Sequence, residues 1–591
     1  MPLKLRLSLA AAALIPAAHA MAEQPARATQ AAQVPAQLTA EQRTAYREIF
    51  AAIRSQDWAG AAARLDAMAP GPLHHFARAE LYTAAGSPRV ELPQILPLLQ
   101  TAPGLPQAEQ LSRLAVTRGA TEVPAIRQAQ TLVGLRGQPR RARPRTVRGD
   151  PVADAIEPLI SPLIVADRPA EAEAILQGRQ HELSEDALTA FRQRIAWVYY
   201  LTGDNQNARR IGNQARHGPN EHSVHAEWIA ALASWRLNDC DDAAEGFGHV
   251  AGRSSDIELA AAGHYWAARA EMACGRPQLV QSRLRNAARL GETFYGLLAA
   301  SALGLRGLAI ENANEFTRAD WSAISDEPNV RAALAAAEIG EEGHADQLIR
   351  HQARIGVAAE YQALIHLAAR LNLTGTQMWL AHNAPRGVSV NPLARYPMPD
   401  WRPIRGWRVD RSLVYAHALQ ESNFRPDAIS PANARGLLQV RPGTAGDMAR
   451  ARGESVTPAQ LNIPSINIEY GQAYMEYLRD LPSNNGLLPR VIASYNAGPN
   501  PIAEWNTRWM NQADPLLYIE SLPYWETRGY VPIILRNMWV YEQQSGERDS
   551  PSREALVQGM WPRYPGLSGP SAIRMTPTTL PQAGTPGFGQ R

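Results

Sequence analysis

The chain has 591 residues, of which 45% are apolar and 19% are charged, and its formal net charge is +3. This length is too great for one hydrophobic core, so we expect several domains or a long repeat array. The apolar fraction is near the globular average and excludes global disorder. The small net charge excludes binding of nucleic acid through the overall field of the chain.

The N-terminus has the pattern of a secretory signal peptide over residues 1–22. Lys4 and Arg6 precede an apolar run that ends in small residues at 18–20, as a cleavage site requires. This run is too short to cross a bilayer, and no later segment reaches about 18 consecutive apolar residues, so we predict no transmembrane helix. We expect an exported, soluble, periplasmic protein that begins with a flexible leader rich in Ala, Gln and Pro at 23–40.

Residues 41–360 are rich in Ala, Leu, Arg and Glu at helical spacing, without strand alternation. Gly203-Asp204 and Asn238-Asp239 recur at a spacing of 35, each with an alanine four residues after the aspartate, and Cys274-Gly275 marks the next turn. Helix–turn–helix units of about 34 residues are typical of tetratricopeptide-like solenoids. The fold class we predict is therefore mainly all-α, built on an α-superhelical solenoid.

The two cysteines, Cys240 and Cys274, lie near the turns of successive helix pairs. Export permits a disulfide between them, and two free buried thiols are an equally good interpretation. No histidines stand at zinc-ligand spacing, and we find no calcium loop, so we expect no metal and no cofactor.

Three segments interrupt the helical pattern. In the basic segment, defined as residues 137–151, five arginines stand among prolines, which predicts a loop. Such a loop either contacts an anionic polymer or partner or is simply solvated, and we favour the solvated loop. Prolines at 385–403 indicate a domain boundary near 400, and the Pro- and Gly-rich composition of 547–591 predicts a disordered tail.

A helix capped by Asp410 or Ser412 is predicted to end near Glu421. Val414 and Ala418 lie on the same helical face as Glu421, so the carboxyl group ends an apolar stripe. Burial raises the pKa of a glutamate, and a glutamate that stays protonated near neutrality can act as a general acid on a glycosidic bond. The alternative is that Glu421 is merely exposed at a helix end.

The chain resembles the soluble lytic murein transglycosylase family in several ordered motifs of its C-terminal part. They are Glu421-Ser422, then Gly436-Leu437-x-Gln439-x-x-Pro442-Gly443-Thr444-Ala445, then Tyr495-Asn496-Ala497-Gly498-Pro499, and then Glu526-Thr527-Arg528-x-Tyr530-Val531. Phe294-Tyr295-Gly296-Leu297-Leu298-Ala299 and Tyr265-Trp266 are similar to the helical domain of full-length members.

This resemblance implies a ring-forming superhelical domain at 41–360, a small helical linker domain at 361–403 and a lysozyme-like α(+β) catalytic domain at 404–546. The family cleaves the MurNAc–GlcNAc β-1,4 bond of peptidoglycan without water, leaves a 1,6-anhydro-MurNAc end and serves in wall turnover. Glu421 is implied to be the single catalytic acid, which then accepts the proton of the C6 hydroxyl. The positions implied to bind substrate or support the glutamate are Ser430, Gln439, Tyr495, Asn496 and Glu526.

The sequence departs from the family pattern at three positions near this loop. Asn433 replaces the usual glycine, Leu438 a methionine and Arg441 an apolar residue; we expect Arg441 to point to solvent. Tyr470, Tyr474 and Tyr477 are spaced either for core packing, which we favour, or for a sugar-stacking platform.

Two other functions remain open at this point. A muramidase would hydrolyse the same bond with water, because one fold can serve both outcomes. A non-catalytic periplasmic solenoid would instead hold cell-wall synthesis proteins. For the transglycosylase we expect a monomer whose polymeric partner is the peptidoglycan glycan strand, with cell-wall synthesis proteins as candidate partners of its solenoid.

Overall fold

The structure is a computed structural model and describes residues 34–305, 315–507, 513–547 and 549–575. Within these ranges it contains 27 α-helices and two small two-stranded sheets, so the mainly all-α prediction is confirmed. In the same ranges, no helix combines the length and the apolarity needed to cross a membrane. The predicted signal peptide lies outside the described residues.

Five helices and a short strand precede the basic segment. They are α1 (Ala40–Arg54), α2 (Trp58–Ala67), α3 (His74–Thr83), α4 (Leu92–Thr101), α5 (Ala108–Thr117) and β1 (Leu132–Gly134). The prediction of a flexible leader is wrong for the last part of that segment, which the structure describes from residue 34. Leu38 is buried in the core, and the backbone N–H of Gln37 donates to the carboxylate of Glu338 (2.6 Å). Thr39 then caps α1 through its side chain.

The next nine helices form antiparallel hairpins. They are α6 (Pro151–Val165), α7 (Pro169–Arg179), α8 (Glu185–Leu201), α9 (Asn205–Ala215), α10 (Glu221–Arg236), α11 (Cys240–Arg253), α12 (Ile257–Ala273), α13 (Pro277–Ala288) and α14 (Phe294–Ala302).

The repeat seen in the sequence is the turn of each hairpin. Gly203 (φ 87°) and Asn238 (φ 59°) adopt the left-handed conformation that ends a helix. Asp204 and Asp239 then cap the next helix by accepting the backbone N–H three residues later. The solenoid prediction is confirmed for this region.

A disulfide joins Cys240, at the start of α11, to Cys274, at the end of α12, with the two Cα atoms 5.6 Å apart. Of the two interpretations that the sequence left open, the disulfide is therefore the one found.

Five further helices follow, and they pack against the first five helices of the chain. They are α15 (Arg318–Ile324), α16 (Pro328–Glu338), α17 (Glu342–Ile355), α18 (Tyr361–Arg370) and α19 (Thr374–His382), followed by β2 (Asn383–Pro385).

Helices α15–α19 share one hydrophobic core with α1–α5. Strand β2 pairs antiparallel with β1, and α1 forms ion pairs with this region through Arg43 and Glu338 (3.1 Å) and Arg54 and Glu341 (2.5 Å). We call α1–α19 the superhelix. The domain boundary that we predicted after residue 360 falls inside this common core.

The C-terminal helices pack on α6–α14 in a second core. They are α20 (Arg411–Ser422), α21 (Pro442–Arg450), α22 (Pro464–Asp480), α23 (Leu488–Ala497), α24 (Pro499–Thr507), α25 (Pro515–Glu520), α26 (Trp525–Gln544) and α27 (Pro551–Val557), with β3 (Trp561–Pro562) and β4 (Ala572–Ile573).

The prediction of a disordered tail from residue 547 is wrong for residues 551–575. Leu556, Trp561 and Tyr564 are buried in the second core, and the indole N–H of Trp561 donates to the carbonyl of Ala513 (3.1 Å). Burial of these few large side chains outweighs the Pro- and Gly-rich composition. Residues 576–591 lie outside the described part of the chain.

The basic segment lies between the superhelix and the C-terminal helices. Arg141 donates two hydrogen bonds to the buried carboxylate of Glu520 (2.6 and 3.0 Å), and its guanidinium lies 5.2 Å from the ring of Trp228. The favoured interpretation of a solvated loop is therefore wrong for Arg141, whereas Arg143 and Arg148 are exposed.

Candidate active site

Glu421 lies in the last turn of α20, where the helix meets the following loop. Asp410 caps this helix by accepting the N–H of Leu413 (2.9 Å), and Asn423 ends it in the left-handed conformation (φ 51°). Ser422 donates its hydroxyl to the carbonyl of Leu437 (2.8 Å). The position of Glu421 is therefore set from both ends of the helix and from the loop.

The surroundings of Glu421 favour its neutral form. Burial is the main cause that raises the pKa of Glu421, a hydrogen bond from the hydroxyl of Tyr530 to Oε1 (2.6 Å) lowers it, and the negative charge of Glu526 raises it. The net result is a pKa of about 7. At neutral pH both the acid and the carboxylate are populated. The alternative interpretation, an ordinary exposed glutamate at a helix end, is wrong.

Tyr495 and Tyr530 form an aromatic wall beside Glu421, backed by His417. The hydroxyl of Tyr495 donates to the carbonyl of Leu438 (2.7 Å). The imidazole of His417 lies 4.6 Å from the ring of Tyr495 and 5.9 Å from that of Tyr530. Burial lowers the pKa of His417 to about 4, so this imidazole is neutral at physiological pH and adds no charge beside the glutamate.

Asn496 and Glu526 form a second polar group at the edge of the site. The side-chain amide of Asn496 donates to Glu526 Oε1 (3.2 Å), and the hydroxyl of Thr527 donates to Asn496 Oδ1 (2.7 Å). Glu526 is exposed and acts on Glu421 through its charge. The structure therefore brings Glu421, Tyr495, Asn496 and Glu526 to one place.

Ser430 and Gln439 lie in the loop between α20 and α21. The hydroxyl of Ser430 accepts the N–H of Ala434 (3.0 Å). Gln439 has a positive φ (46°), and its amide nitrogen lies within hydrogen-bond distance of the carbonyls of Ala428 (3.1 Å) and Gly436 (2.9 Å). In this structure both side chains hold the loop, which leaves the Oε1 of Gln439 and the O–H of Ser430 as their groups for a ligand.

Asn467 on α22 anchors the same loop and was missed in the sequence. It is fully buried, accepts the N–H of Leu438 (2.8 Å) and donates to the carbonyls of Arg435 (2.8 Å) and Leu461 (2.7 Å). Gly436 lies against Asn467 and has a φ of 71°. A side chain there would meet Asn467, so this position requires glycine.

The three departures from the family pattern fit their places in the loop. Asn433 has a φ of 57°, which glycine and asparagine tolerate best. Leu438 is fully buried, and Arg441 is exposed, as predicted.

The tyrosines of α22 divide between core and surface. Tyr470 is buried, whereas Tyr477 is 45% exposed and stacks on Tyr474 (6.2 Å between ring centres). Tyr474 in turn lies 5.5 Å from the ring of Tyr495. The core interpretation that we favoured is correct for Tyr470 and wrong for Tyr477.

A buried carboxylate elsewhere in this region is fully paired. Glu469 accepts from Arg452 (2.7 Å) and lies 2.9 Å from Arg408, and these arginines hold the pKa of Glu469 below its usual range although burial opposes them. Among the described residues, no carboxylate is hydrogen-bonded to Glu421. The site thus presents one glutamate with a pKa near neutrality.

The family model described as the transglycosylase SLT domain matches residues 403–517. This match contains Glu421, the loop after it, Asn467 and Tyr495, in the arrangement described above. Residues 403–517 belong to the transglycosylase SLT domain family. We call them the SLT domain; it begins one residue before the boundary that we predicted at 404.

Curated relatives match the same part of the chain. The chain is 34% identical over 155 residues to a soluble lytic murein transglycosylase of Salmonella typhimurium, which covers 25% of this chain and 23% of that protein. It is 36% identical over 146 residues to a soluble lytic murein transglycosylase of Escherichia coli, which covers 24% of this chain and 22% of that protein. The matches thus span less than a quarter of these relatives.

Solved structures are similar in fold to most of the chain. The crystal structure of the 70 kDa soluble lytic transglycosylase from Escherichia coli covers 89% of this chain and 99% of that one, with a TM-score of 0.51 and 18% identity. A structure of a 70 kDa soluble lytic transglycosylase in complex with bulgecin A gives a TM-score of 0.50 and 18% identity, with 88% of each chain covered. The similarity in fold therefore extends well beyond the SLT domain into the superhelix.

The SLT domain does not complete the candidate site alone. Glu526 and Tyr530 belong to α26, which follows the matched residues. Helix α26 is also joined to the superhelix, because Arg536 donates to Glu258 on α12 (3.0 Å) and both side chains are largely buried. The hydroxyl that binds Glu421 is thus held in place partly by the superhelix.

Proposed function

We propose that the protein is a lytic transglycosylase that cleaves the MurNAc–GlcNAc bond of peptidoglycan and leaves 1,6-anhydro-MurNAc ends. The observation that carries this proposal is the half-buried Glu421, to which no carboxylate is hydrogen-bonded among the described residues and whose pKa of about 7 populates both its acid and its base form at neutral pH. Ordinary glycosidases pair two carboxyl groups, one of which acts as nucleophile or base.

The reaction that these residues support has two proton transfers through one carboxyl group. Neutral Glu421 donates its proton to the glycosidic oxygen as the bond to C1 breaks, and Tyr530 then stabilises the resulting carboxylate through its hydrogen bond to Oε1. The carboxylate next accepts the proton of the C6 hydroxyl as that oxygen bonds to C1. The enzyme returns to its neutral form, and no water is consumed.

The other residues of the site bind the substrate in this proposal. We assign the saccharide groove to Ser430, Gln439, Tyr495, Asn496 and Glu526, which offer hydroxyl, amide and carboxylate oxygens to sugar hydroxyls and acetamides. The same proposal places the protein in the periplasm, after removal of a signal peptide at 1–22, with a role in turnover of the wall.

Digestion of purified sacculi, with mass spectrometry of the products, tests this proposal. We expect ends that are lighter by one water than reducing ends. Reducing MurNAc ends would show a muramidase instead. Glu421→Gln should lower turnover on the order of 10²–10⁴-fold with unchanged circular dichroism, and unchanged turnover would remove Glu421 from its role.

A further inference from the structure

His417 is a buried imidazole beside Glu421 to which the proposed reaction gives no role. It lies on α20 one turn before Glu421, because residues four apart share a face of a helix, and it is 2% exposed. Its Nδ1 lies 2.9 Å from the carbonyl oxygen of Leu413. Since a carbonyl oxygen only accepts, Nδ1 carries the proton of the neutral ring and Nε2 carries the lone pair.

The Nε2 of His417 is buried and has no hydrogen-bond partner among the described residues. A buried acceptor without a donor costs the fold free energy that an apolar side chain of similar volume would not cost. Burial also lowers the pKa of His417 to about 4, and the groups that face its ring from other helices are two neutral tyrosines, Tyr495 on α23 and Tyr530 on α26. Stability therefore does not explain why an imidazole stands at this place.

The ring of His417 makes directed contacts with both tyrosines. Its centre lies 4.6 Å from the ring centre of Tyr495, with 60° between the planes, and 5.9 Å from that of Tyr530, with 62° between the planes. Aromatic pairs with tilted planes and centres about 4.5–7 Å apart have a preferred orientation, because the edge of one ring is attracted to the face of the other. The imidazole thus restricts the rotation of the two rings.

Tyr530 contacts α20 at two points. Its ring lies against His417, and its hydroxyl donates to Oε1 of Glu421 (2.6 Å), one helical turn further along. A ring that turned or tilted against His417 would carry its hydroxyl away from Oε1, and hydrogen bonds weaken steeply as their angle becomes poorer. The geometry of the bond to Glu421 thus depends on what occupies position 417.

We propose that His417 is a positioning residue, whose ring orients Tyr530 and Tyr495 and thereby fixes the hydrogen bond to Glu421. The proposal rests on the proposed function and deepens it. A flat ring is required at this place for its shape, and the cost of its unpartnered nitrogen falls on the stability of the fold. A residue of this kind supports activity at the expense of stability, whereas a packing residue supports stability.

His417→Leu tests this role, because leucine keeps roughly the volume of the side chain but has no ring. The bond from Tyr530 favours the carboxylate of Glu421, so its weakening raises the pKa of Glu421. The alkaline limb of kcat/KM for cleavage of sacculi should therefore move up by about 0.5–1 pH unit, and the maximum should fall about 3–10-fold. His417→Phe keeps an aromatic ring and should keep the wild-type limb.

Tyr415→Phe is the control on the same helix. Tyr415 is buried two residues before His417, on a different face of α20, and its hydroxyl donates to the carbonyl of Pro399. Loss of this bond removes a tertiary contact of α20 without a change beside the aromatic wall, so the alkaline limb should stay in place. A limb that moves as far in Tyr415→Phe as in His417→Leu would overturn the proposal, and so would an unmoved limb in His417→Leu.

A double variant shows whether His417 acts through Tyr530. In a Tyr530→Phe background, His417→Leu should cause no further movement of the alkaline limb, because the hydroxyl that it would misplace is already absent. Full additivity of the two shifts would show that His417 acts on Glu421 by another route and would overturn the proposal.

Denaturant titration separates positioning from packing. Because leucine has no unpartnered acceptor, the midpoint of unfolding of His417→Leu should equal or exceed that of wild type, although kcat/KM falls. A lower midpoint together with an unmoved limb would show a packing residue. If His417→Leu does not fold, His417→Gln, which also lacks a ring, takes its place in the pH profiles. Absence of cleavage of sacculi by wild type would overturn the proposed function itself.

Discussion

The hydrogen bond from Tyr530 to Glu421 gives the most direct test of the acid–base chemistry. Tyr530→Phe removes the hydroxyl that lies 2.6 Å from Oε1 and leaves the ring. A hydrogen bond to a charged group is worth about 1.5–3 kcal/mol, and one pKa unit corresponds to about 1.4 kcal/mol. Since this bond favours the carboxylate, its loss should raise the pKa of Glu421 by about 1–2 units above its value of about 7.

The assay is the pH dependence of kcat/KM for release of anhydro ends from sacculi, which reports ionisations of the free enzyme. Protonated Glu421 is needed first, so the alkaline limb of the profile should move to higher pH in Tyr530→Phe. The maximum should fall about 10-fold, because the carboxylate formed in the reaction loses its donor.

Tyr541→Phe is the matched control for this experiment. Tyr541 lies on the same helix and is buried, and its hydroxyl has no hydrogen-bond partner among the described residues. We expect its pH profile to equal that of wild type. An alkaline limb in Tyr530→Phe that stays in place, or moves to lower pH, would refute the reasoning about Glu421.

Three further predictions concern stability. Burial raises the pKa of Glu542 to about 8, whereas the pKa of a glutamate in the unfolded chain is about 4.3, so this group destabilises the fold progressively as the pH rises between these two values. Glu542→Gln should therefore raise Tm above that of wild type by an amount that grows with pH over this window. A difference in Tm that stays constant with pH would contradict this prediction. Reduction of the Cys240–Cys274 disulfide should lower the free energy of unfolding of the superhelix by about 2–4 kcal/mol, measured by denaturant titration with and without reductant. Glu520→Gln leaves Arg141 buried without its carboxylate and should cost about 3–5 kcal/mol in the same titration, whereas exposed Asp447→Asn should cost nothing measurable.

Local sequence signals were sufficient where the structure depends on neighbours in the chain. The aspartates that cap α9 and α11 stand beside their own helices, and the apolar stripe that ends in Glu421 is a property of one helix. Tyr530 stands in one of the sequence motifs, but its role in the site was not predicted. Its partner Glu421 is 109 residues away, and only the crossing of α20 and α26 brings the two side chains together. The same reason applies to Arg141, whose carboxylate partner is separated from it by 379 residues.

The tail shows a different limit. Its composition is that of a disordered segment, yet Trp561 is fully buried and bonded to a carbonyl in the loop before α25. An average over the composition does not detect one large side chain that becomes buried in the core, and burial of such a side chain is worth about several kcal/mol.

The closure of the superhelix has a consequence for shortened forms of the protein. An open solenoid ends in repeats whose outer faces are polar, because nothing covers them. Here α1–α5 and α15–α19 cover each other in one core. Each group therefore has an apolar face, not a polar one, where it contacts the other. Removal of residues 34–126 should therefore uncover the apolar side of α15–α19 and cause association of the remaining protein, rather than yield a smaller ring.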